Sequence, residues 1–299
     1  MRMRHSIGFL AVLLAMGSSN AAPQKEKIPS KDLAEFLTWA QPVKPYRIIG
    51  NVYYVGANEL TSYLITTPQG HILIDAGMEE MVPQIEKNIE TLGFRVRDVK
   101  ILLNTQAHID HAAGFAALKR TTGAKLMISR GDAPVIESGG AKDFLWPDRF
   151  GWEPAKVDQI VEDGEEIVLG GVVLTAHLTP GHTKGCTTYT MTVREEGKDY
   201  HVLFLGSTTR VGAKLLGNEK YPQIADDYQK TFQVLRELPC DVFLASHGSF
   251  YDSLKKAEWL ARGEQPNPFI DPQGFRAFLD RQETLFRAEL KQAQTAKGN

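Results

Sequence analysis

The succession of strand-like and helix-like segments narrows the possible folds of this chain more than any other feature. Short β-type runs are followed by helical segments, and the same order recurs in a second half of similar length, without a detectable sequence repeat. The predicted strands are 46–50, 52–56, 62–67, 71–75, 99–105, 125–129, 166–169, 172–178, 187–193, 200–205 and 241–246. This order predicts an α/β fold of two packed sheets with helices outside them, in one domain.

Helices are indicated where apolar residues recur at intervals of three and four. In the segment Met78–Leu92 these positions include Met81, Ile85 and Ile89, and Gly93 ends the pattern. Further helices are predicted at 31–40, after Asp110, at 226–238 and from Pro272 to Ala293. The last of them carries a stripe of Phe and Leu side chains, so we expect it to cover a sheet.

The first 22 residues have the three-part pattern of a signal peptide. Arg2 and Arg4 precede the apolar run Ile7–Met16, and small residues follow it. An apolar run of about ten residues is well short of the roughly 20 that cross a bilayer, so a retained membrane anchor is the weaker interpretation. We therefore expect a signal peptide at 1–22, a single domain at 23–299 and a periplasmic or secreted protein.

Charge and cysteine content restrict the partners and the compartment. The chain has 34 basic and 36 acidic residues, a formal charge of −2, which argues against binding to the phosphate backbone of nucleic acid. Its two cysteines, Cys186 and Cys240, can form one disulfide in an oxidising compartment or remain buried thiols. We expect a small-molecule substrate, no nucleic-acid or membrane partner, and a monomer.

The densest group of chemically active side chains lies in the segment TQAHIDHAAG, residues 105–114. Gln106, His108, Asp110 and His111 follow a predicted buried strand at its junction with a helix. Strand spacing places Gln106 and His108 on one side, whereas Asp110 and His111 open the helix. A single histidine at a strand end is more often structural. Two imidazoles and a carboxylate so close together favour a metal site, because these donors suit Zn²⁺.

Two further histidines follow predicted strands. His182 comes after a Pro-Gly turn in LTPGHTKG, and His247 lies in LASHGS. Each alone is weak evidence, but the carboxyl ends of strands in such a sandwich open onto a shared groove. With the first group they supply six donors, which is two sites of three ligands, and catalytic zinc typically has three protein ligands. We expect His71, His177 and His201 to be structural.

The chain resembles the metallo-β-lactamase superfamily. The signature of that superfamily is a group of histidines and an aspartate at a strand end, then GH, then a last histidine, which appear here as QAHIDH, PGH and SH. The resemblance extends over most of the chain after the signal peptide and implies an αβ/βα sandwich of two mixed sheets. It also implies two zinc sites, formed by Gln106, His108 and His182 (site 1) and by Asp110, His111 and His247 (site 2).

Within this superfamily the chain is most similar to the B3 subclass of zinc β-lactamases, because Asp110 and His111 are both present and no cysteine replaces a ligand. Glyoxalase II and related phosphodiesterases have a bridging aspartate in a GD pair after a late strand, where this chain has Ser207 in FLGSTTR. The resemblance therefore implies an exported zinc-dependent β-lactamase, which hydrolyses the amide bond of β-lactam antibiotics and confers resistance to them.

One ligand departs from the usual pattern of the family. Gln106 replaces the first histidine, as in a minor branch of these lactamases, and an amide oxygen is a poorer Zn²⁺ donor than imidazole. We therefore hypothesise that site 2 fills first at limiting zinc and can support activity alone. Preferential filling of site 1 in a metal titration would contradict this. The alternative is that Gln106 only hydrogen-bonds a water or a neighbouring ligand.

The resemblance also implies a mechanism. A hydroxide formed from zinc-bound water, whose pKa falls to about 7, would attack the lactam carbonyl while Asp110 orients the water. By position, Ser207 and Thr208 in GSTT are the candidates to hydrogen-bond the substrate carboxylate, and the next two residues are lesser options. The loop 143–152 contains four aromatic residues, which either wall the groove or pack the loop onto the sandwich.

Two alternatives to a β-lactamase remain open. A lactonase or thioester hydrolase of the same superfamily would use the same metals on a different acyl bond. A non-catalytic, exported zinc-binding protein, its first site weakened by Gln106, would show no chelator-sensitive hydrolysis of any acyl substrate.

Overall fold

Two mixed sheets form the centre of the structure, a computed structural model that describes residues 30–147, 149–263 and 265–298. In the described chain the first sheet contains, in spatial order, β1 (Tyr46–Ile49), β2 (Val52–Tyr54), β3 (Tyr63–Thr67), β4 (Gly70–Ile74), β5 (Val99–Leu103), β6 (Lys125–Ser129) and β7 (Gln159–Val161). The second sheet has the spatial order β12–β11–β10–β9–β8, formed by β8 (Glu166–Leu169), β9 (Val172–Leu178), β10 (Thr187–Glu195), β11 (Lys198–Leu205) and β12 (Val242–Ala245). The predicted signal peptide, residues 1–22, lies outside the described residues.

Helices flank the sheets, as the sequence predicts. They are α1 (Ser30–Trp39), α2 (Val82–Thr91), α3 (Ile109–Ala112), α4 (Phe115–Thr122), α5 (Ala133–Glu137), α6 (Ile224–Glu237), α7 (Ser253–Ala261) and α8 (Pro272–Gly298). In the described part of the chain, none of them combines the length and the apolar character that crossing a bilayer requires. The αβ/βα sandwich predicted from the sequence is thus confirmed.

The helix predicted after Asp110 is in fact two short helices, α3 and α4. The break falls at Gly114, whose N–H donates to the carbonyl of Gly77 (3.0 Å) instead of to a carbonyl within α3. A side chain at this position would begin only 2.4 Å from the carbonyl oxygen of Ala76, so the close approach of the two segments requires glycine. The interruption ends α3 after a single turn and leaves Asp110 and His111 close to the strand end.

Both faces of the first sheet are buried, each in a different apolar core. In β4, Ile72 and Ile74 enter the core between the two sheets, whereas Leu73 enters the core beneath α2 and α4. This alternation follows from strand geometry, in which successive side chains point to opposite faces. On α2, Ile85 and Ile89 complete the outer core, as their helical spacing predicts. Burial of each such side chain contributes about 1.5–3 kcal/mol to folding.

The carboxyl ends of the central strands lie at one edge of the sandwich. Strands β4, β5 and β6 are parallel in the first sheet, and β11 and β12 are parallel in the second. Hydrogen bonds between the sheets join their ends: Thr187 N–H donates to the carbonyl of Thr105 (2.8 Å), and the Tyr63 hydroxyl donates to the carbonyl of Ala245 (2.6 Å). The loops that follow β5, β9 and β12 therefore meet at this edge.

The sequence did not predict β7 or α5. β7 has three residues and α5 has five, so each is too short to show a strand or helix period.

Candidate metal centre

Three side chains of the predicted site 2 meet at one point. Oδ2 of Asp110 is 3.2 Å from Nε2 of His111 and 3.6 Å from Nε2 of His247, and the two imidazole nitrogens are 3.2 Å apart. Ligand atoms that bind one tetrahedral metal at about 2.0–2.1 Å are separated by about 3.3 Å. The three atoms therefore have the spacing of a ligand set for a single divalent cation.

The side chains of the predicted site 1 are also brought together. Nδ1 of His108 lies 3.0 Å from Nε2 of His182, and Gln106 lines the same groove. Gln106 is almost fully buried, and its Oε1 has no hydrogen-bond partner among the described residues. Because an unpaired buried carbonyl oxygen is unfavourable, this atom fits the role of a ligand to a cation. The donor set of site 1 thus fits a metal as well.

Each of the four imidazoles turns its other ring nitrogen toward an oxygen. The pairs are His108 Nε2 with Asp143 Oδ2 (3.4 Å), His111 Nδ1 with Asp75 Oδ2 (3.9 Å), His182 Nδ1 with the Thr209 carbonyl (2.7 Å), and His247 Nδ1 with Glu59 Oε1 (3.3 Å). Metal-binding histidines characteristically direct their second ring nitrogen to such an oxygen, which fixes the orientation of the ring. Nδ1 of His182 forms such a hydrogen bond, whereas Nε2 of His108 and Nδ1 of His111 face a carboxylate but form no hydrogen bond to it. The pattern therefore supports the assignment most directly for His182, and the orientation of the other rings agrees with it.

Buried Asp75 holds the segment that leads into the ligands. It follows β4 directly and has φ +61°, a left-handed conformation that Asp tolerates better than most residues. Its carboxylate accepts hydrogen bonds from the Thr105 N–H (2.7 Å), the Thr105 hydroxyl (2.7 Å) and the Asn104 side chain (3.1 Å). Burial raises the pKa of Asp75 to about 6, although these donors and His111 favour the charged form. Asp75 thereby sets the exit of the chain from β5.

Asp132 is a second buried carboxylate, and it joins two ligand-bearing loops. It accepts hydrogen bonds from the N–H of Ala107 (3.0 Å), the N–H of Gly185 (2.8 Å) and the hydroxyl of Thr183 (2.7 Å). Burial raises the pKa of Asp132 to about 6, although the three hydrogen-bond donors favour the charged carboxylate. The loop between Gln106 and His108 is therefore tied to the loop that carries His182.

Four carboxylates of this centre, at positions 59, 75, 132 and 143, were not predicted from the sequence. The position of Asp75 could have identified it. Asp75 comes directly after strand β4, in the same way that Gln106 comes shortly after strand β5. Glu59 and Asp143 show no local pattern, because their partners are distant in sequence.

The protonation of the ligands suits metal binding. Burial lowers the pKa of His108 to about 4, and burial next to His108 lowers the pKa of His182 well below its usual value. Although burial opposes its ionisation, the adjacent His111 and His247 hold the pKa of Asp110 far below the usual range. Burial likewise opposes the charged form of His111, but the adjacent Asp110 raises the pKa of His111 above its usual value. A metal binds the neutral imidazole, so a cation at this site competes with protons for His111.

An aromatic groove of about 350 Å³ opens over the metal centre. The ring centroid of Trp39 is 5.9 Å from that of His247, and the centroid of Trp146 is 5.0 Å from that of His108. Two hydrogen bonds between the Arg149 guanidinium and Asp32 (2.7 and 3.1 Å) join α1 to the loop 143–152 across the groove. The groove is therefore walled by an N-terminal helix on one side and by this loop on the other.

The aromatic residues of the loop 143–152 divide between the two roles considered for them. Trp146 and Phe150 line the groove, whereas Phe144 and Trp152 are buried in the two cores. The loop therefore both walls the groove and packs onto the sandwich.

Ser207 and Thr208, the predicted contacts of a substrate carboxylate, are not brought to the groove. Thr208 is fully buried, and the Ser207 hydroxyl contacts that of Thr209 (3.0 Å). Thr209, which the sequence indicated as a lesser option, does line the groove. The loop after β11 runs beneath the groove, so its first residues are covered. Ser207 N–H also contacts the thiol of Cys186 (3.3 Å), which is free, as is the other cysteine.

The metallo-beta-lactamase superfamily model matches residues 56–247, a range that contains all six predicted ligands. The chain belongs to this superfamily. It is 45% identical to the native FEZ-1 metallo-beta-lactamase from Legionella gormanii, with a TM-score of 0.84 over 86% of this chain and 98% of that one. It is 38% identical to BJP-1, a subclass B3 metallo-beta-lactamase of Bradyrhizobium japonicum, with a TM-score of 0.80 over 86% and 97% of the two chains.

Among curated sequences the chain is 32% identical over 127 residues to a "Probable metallo-hydrolase" of Burkholderia pseudomallei. This match covers 42% of each protein, so the chain spans about two-fifths of the length of that relative. The superfamily and its lactamase neighbours support a hydrolase that binds a divalent metal and acts on a small molecule.

Proposed function

We propose that this superfamily member is an exported, monomeric, zinc-dependent β-lactamase that confers antibiotic resistance. The observation that carries the proposal is the pair of adjacent ligand sets beneath an open aromatic groove. Four imidazoles, one carboxylate and one amide oxygen are a donor set that suits Zn²⁺ rather than a hard cation such as Mg²⁺. The similarity to FEZ-1 and BJP-1 over nearly their whole lengths supports the lactam as the bond that is cleaved.

In this proposal each residue of the groove has a separate role in hydrolysis. Zinc in the two sites would supply Lewis acidity and a water nucleophile at neutral pH. Asp110 is ionised and turns one oxygen to the imidazoles of site 2, so its other oxygen can orient the attacking water. We assign the substrate carboxylate to the Thr209 hydroxyl, because this side chain lines the groove beside His182. Trp39 and Trp146 would exclude bulk water from the apolar part of the substrate. No protein nucleophile and no covalent acyl-enzyme are needed.

The proposal is tested with protein purified from the periplasmic fraction of an expressing bacterium. We expect a monomer on size-exclusion chromatography that hydrolyses imipenem or a cephalosporin, loses this activity with EDTA and regains it with added zinc. Faster hydrolysis of an acyl-homoserine lactone or a thioester would instead assign the protein to the first alternative. Absence of any chelator-sensitive hydrolysis would support the non-catalytic alternative.

Trp146 is expected to contribute substrate binding rather than chemistry. The Trp146→Ala variant should raise KM for a cephalosporin about three- to tenfold and leave kcat nearly unchanged, because an aromatic contact is worth about 0.5–1.5 kcal/mol. Trp259→Ala is the matched control, since Trp259 is 40% exposed on α7 and does not line the groove. Steady-state kinetics of both variants check this. An unchanged KM in Trp146→Ala would show that the wall does not contact substrate.

A further inference from the structure

The two metal sites differ in the charge of their ligands. Site 2 includes the carboxylate of Asp110, whereas site 1 consists of an amide and two imidazoles, and imidazoles bind metal in their neutral form. All three side chains of site 1 are at most 4% exposed. A cation held only by neutral donors in such a buried place has no charged ligand of its own, which weakens its binding. A nearby carboxylate outside the ligand set would therefore matter more for site 1 than for site 2.

Asp143 is the carboxylate that faces site 1. It is 7% exposed, and its Oδ2 lies 3.4 Å from Nε2 of His108, on the side of the ring opposite to the Nδ1 that faces His182. This Nε2 is buried and has no hydrogen-bond partner among the described residues, and Asp143 is the carboxylate it faces. Its other oxygen, Oδ1, accepts hydrogen bonds from the N–H groups of Leu145 (2.6 Å) and Trp146 (2.8 Å). One oxygen is thus held by the loop that walls the groove, and the other is directed at a ligand of site 1.

We propose that Asp143 is a positioning residue that strengthens metal binding at site 1 through His108, in compensation for the neutral Gln106. Its carboxylate orients the imidazole, increases the electron donation of Nδ1 and supplies the negative charge that the ligands of site 1 lack. Because the same carboxylate also fixes the backbone at Trp146, the wall of the groove and the occupancy of site 1 are coupled. Glu59 has the corresponding position at His247 in site 2.

The Asp143→Asn variant separates charge from structure. Asparagine keeps a side-chain oxygen that can accept from Leu145 and Trp146, but it removes the negative charge next to His108. Zinc is titrated into the metal-free, full-length protein against a competing chelator, and two dissociation constants are extracted. We expect the site 1 constant to rise about 10- to 100-fold and the site 2 constant to change less than about threefold.

Two further variants make the titration specific. His182→Ala removes a ligand of site 1 and so identifies which constant belongs to that site. Glu59→Gln makes the same charge change at site 2, where the carboxylate is 3.3 Å from Nδ1 of His247, and should weaken site 2 instead. The visible absorption spectrum of the Co²⁺-loaded variants provides an independent signature, since it should change only for the metal in the altered site.

Three results would overturn the inference: no change in either constant for Asp143→Asn, equal weakening of both sites, or weakening only in Asp143→Ala, which also loses the loop acceptor. The last would leave Asp143 a purely structural role. The inference rests on the proposed function only in that both sites hold metal. The titration uses no substrate, so a shifted site 1 constant in a protein that hydrolyses no β-lactam would sustain the inference and reject the function.

Discussion

The Asp110→Asn variant is expected to lose about 10²- to 10³-fold in kcat for β-lactam hydrolysis at saturating zinc. In the proposed centre Asp110 is the charged ligand of site 2, and its Oδ2 lies 3.2 Å and 3.6 Å from the imidazole nitrogens of His111 and His247. An amide in its place binds metal more weakly and cannot accept a proton from the attacking water. The loss of kcat should therefore remain when excess zinc restores the metal content. Atomic absorption on the same samples measures that metal content.

A matched control makes the same Asp-to-Asn substitution at a position outside the metal centre. Asp199 is an aspartate on β11 whose side chain is 57% exposed and pairs with Arg194 (3.0 Å). The Asp199→Asn variant should keep the kcat of the parent protein. If Asp110→Asn retained more than about a tenth of the parental kcat with both sites loaded, Asp110 would be a ligand without a part in orienting water.

The Asp132→Ala variant is expected to lose about 3–5 kcal/mol in the free energy of unfolding. The substitution leaves three buried donors without an acceptor, namely the N–H groups of Ala107 and Gly185 and the hydroxyl of Thr183. Urea denaturation of the metal-free proteins measures the change without a contribution from zinc. The two loops that Asp132 joins carry all three ligands of site 1, so zinc binding at that site should weaken in the same variant.

Asp163→Ala provides the comparison for this second variant. Asp163 is exposed and accepts one backbone hydrogen bond, from the N–H of Leu178 (2.8 Å). Its loss should cost no more than about 1 kcal/mol, because water can replace the acceptor. A similarly small loss in Asp132→Ala would mean that the ligand loops are held together by their other contacts.

The layered fold, and the meeting of the six candidate ligands at one edge of it, could be predicted because both leave local patterns. Ile85 and Ile89 show the helical period of α2. His108, Asp110 and His111 are concentrated at the end of one buried strand. His182 and His247 could be added because each follows a strand whose carboxyl end faces the same edge of the sandwich. In all these cases a few consecutive residues contain the whole signal.

The surroundings of the ligands could not be predicted, because they depend on contacts between distant segments. Glu59 lies before β3, yet it meets His247 after β12, and no periodicity connects the two positions. Distant contacts also explain why Thr209 lines the groove where the sequence predicted Thr208. The Thr209 carbonyl accepts hydrogen bonds from both His182 (2.7 Å) and Tyr228 on α6 (2.6 Å), and these partners set how the loop lies under the groove.

The pairing of Asp32 with Arg149 has a practical consequence for anyone who prepares this protein. It connects positions 117 residues apart and makes the first described helix one side of the substrate entrance. An affinity tag joined directly to Ser30 would begin beside that entrance and obstruct it. Material for kinetics and inhibitor screening is therefore better purified through a carboxyl-terminal tag.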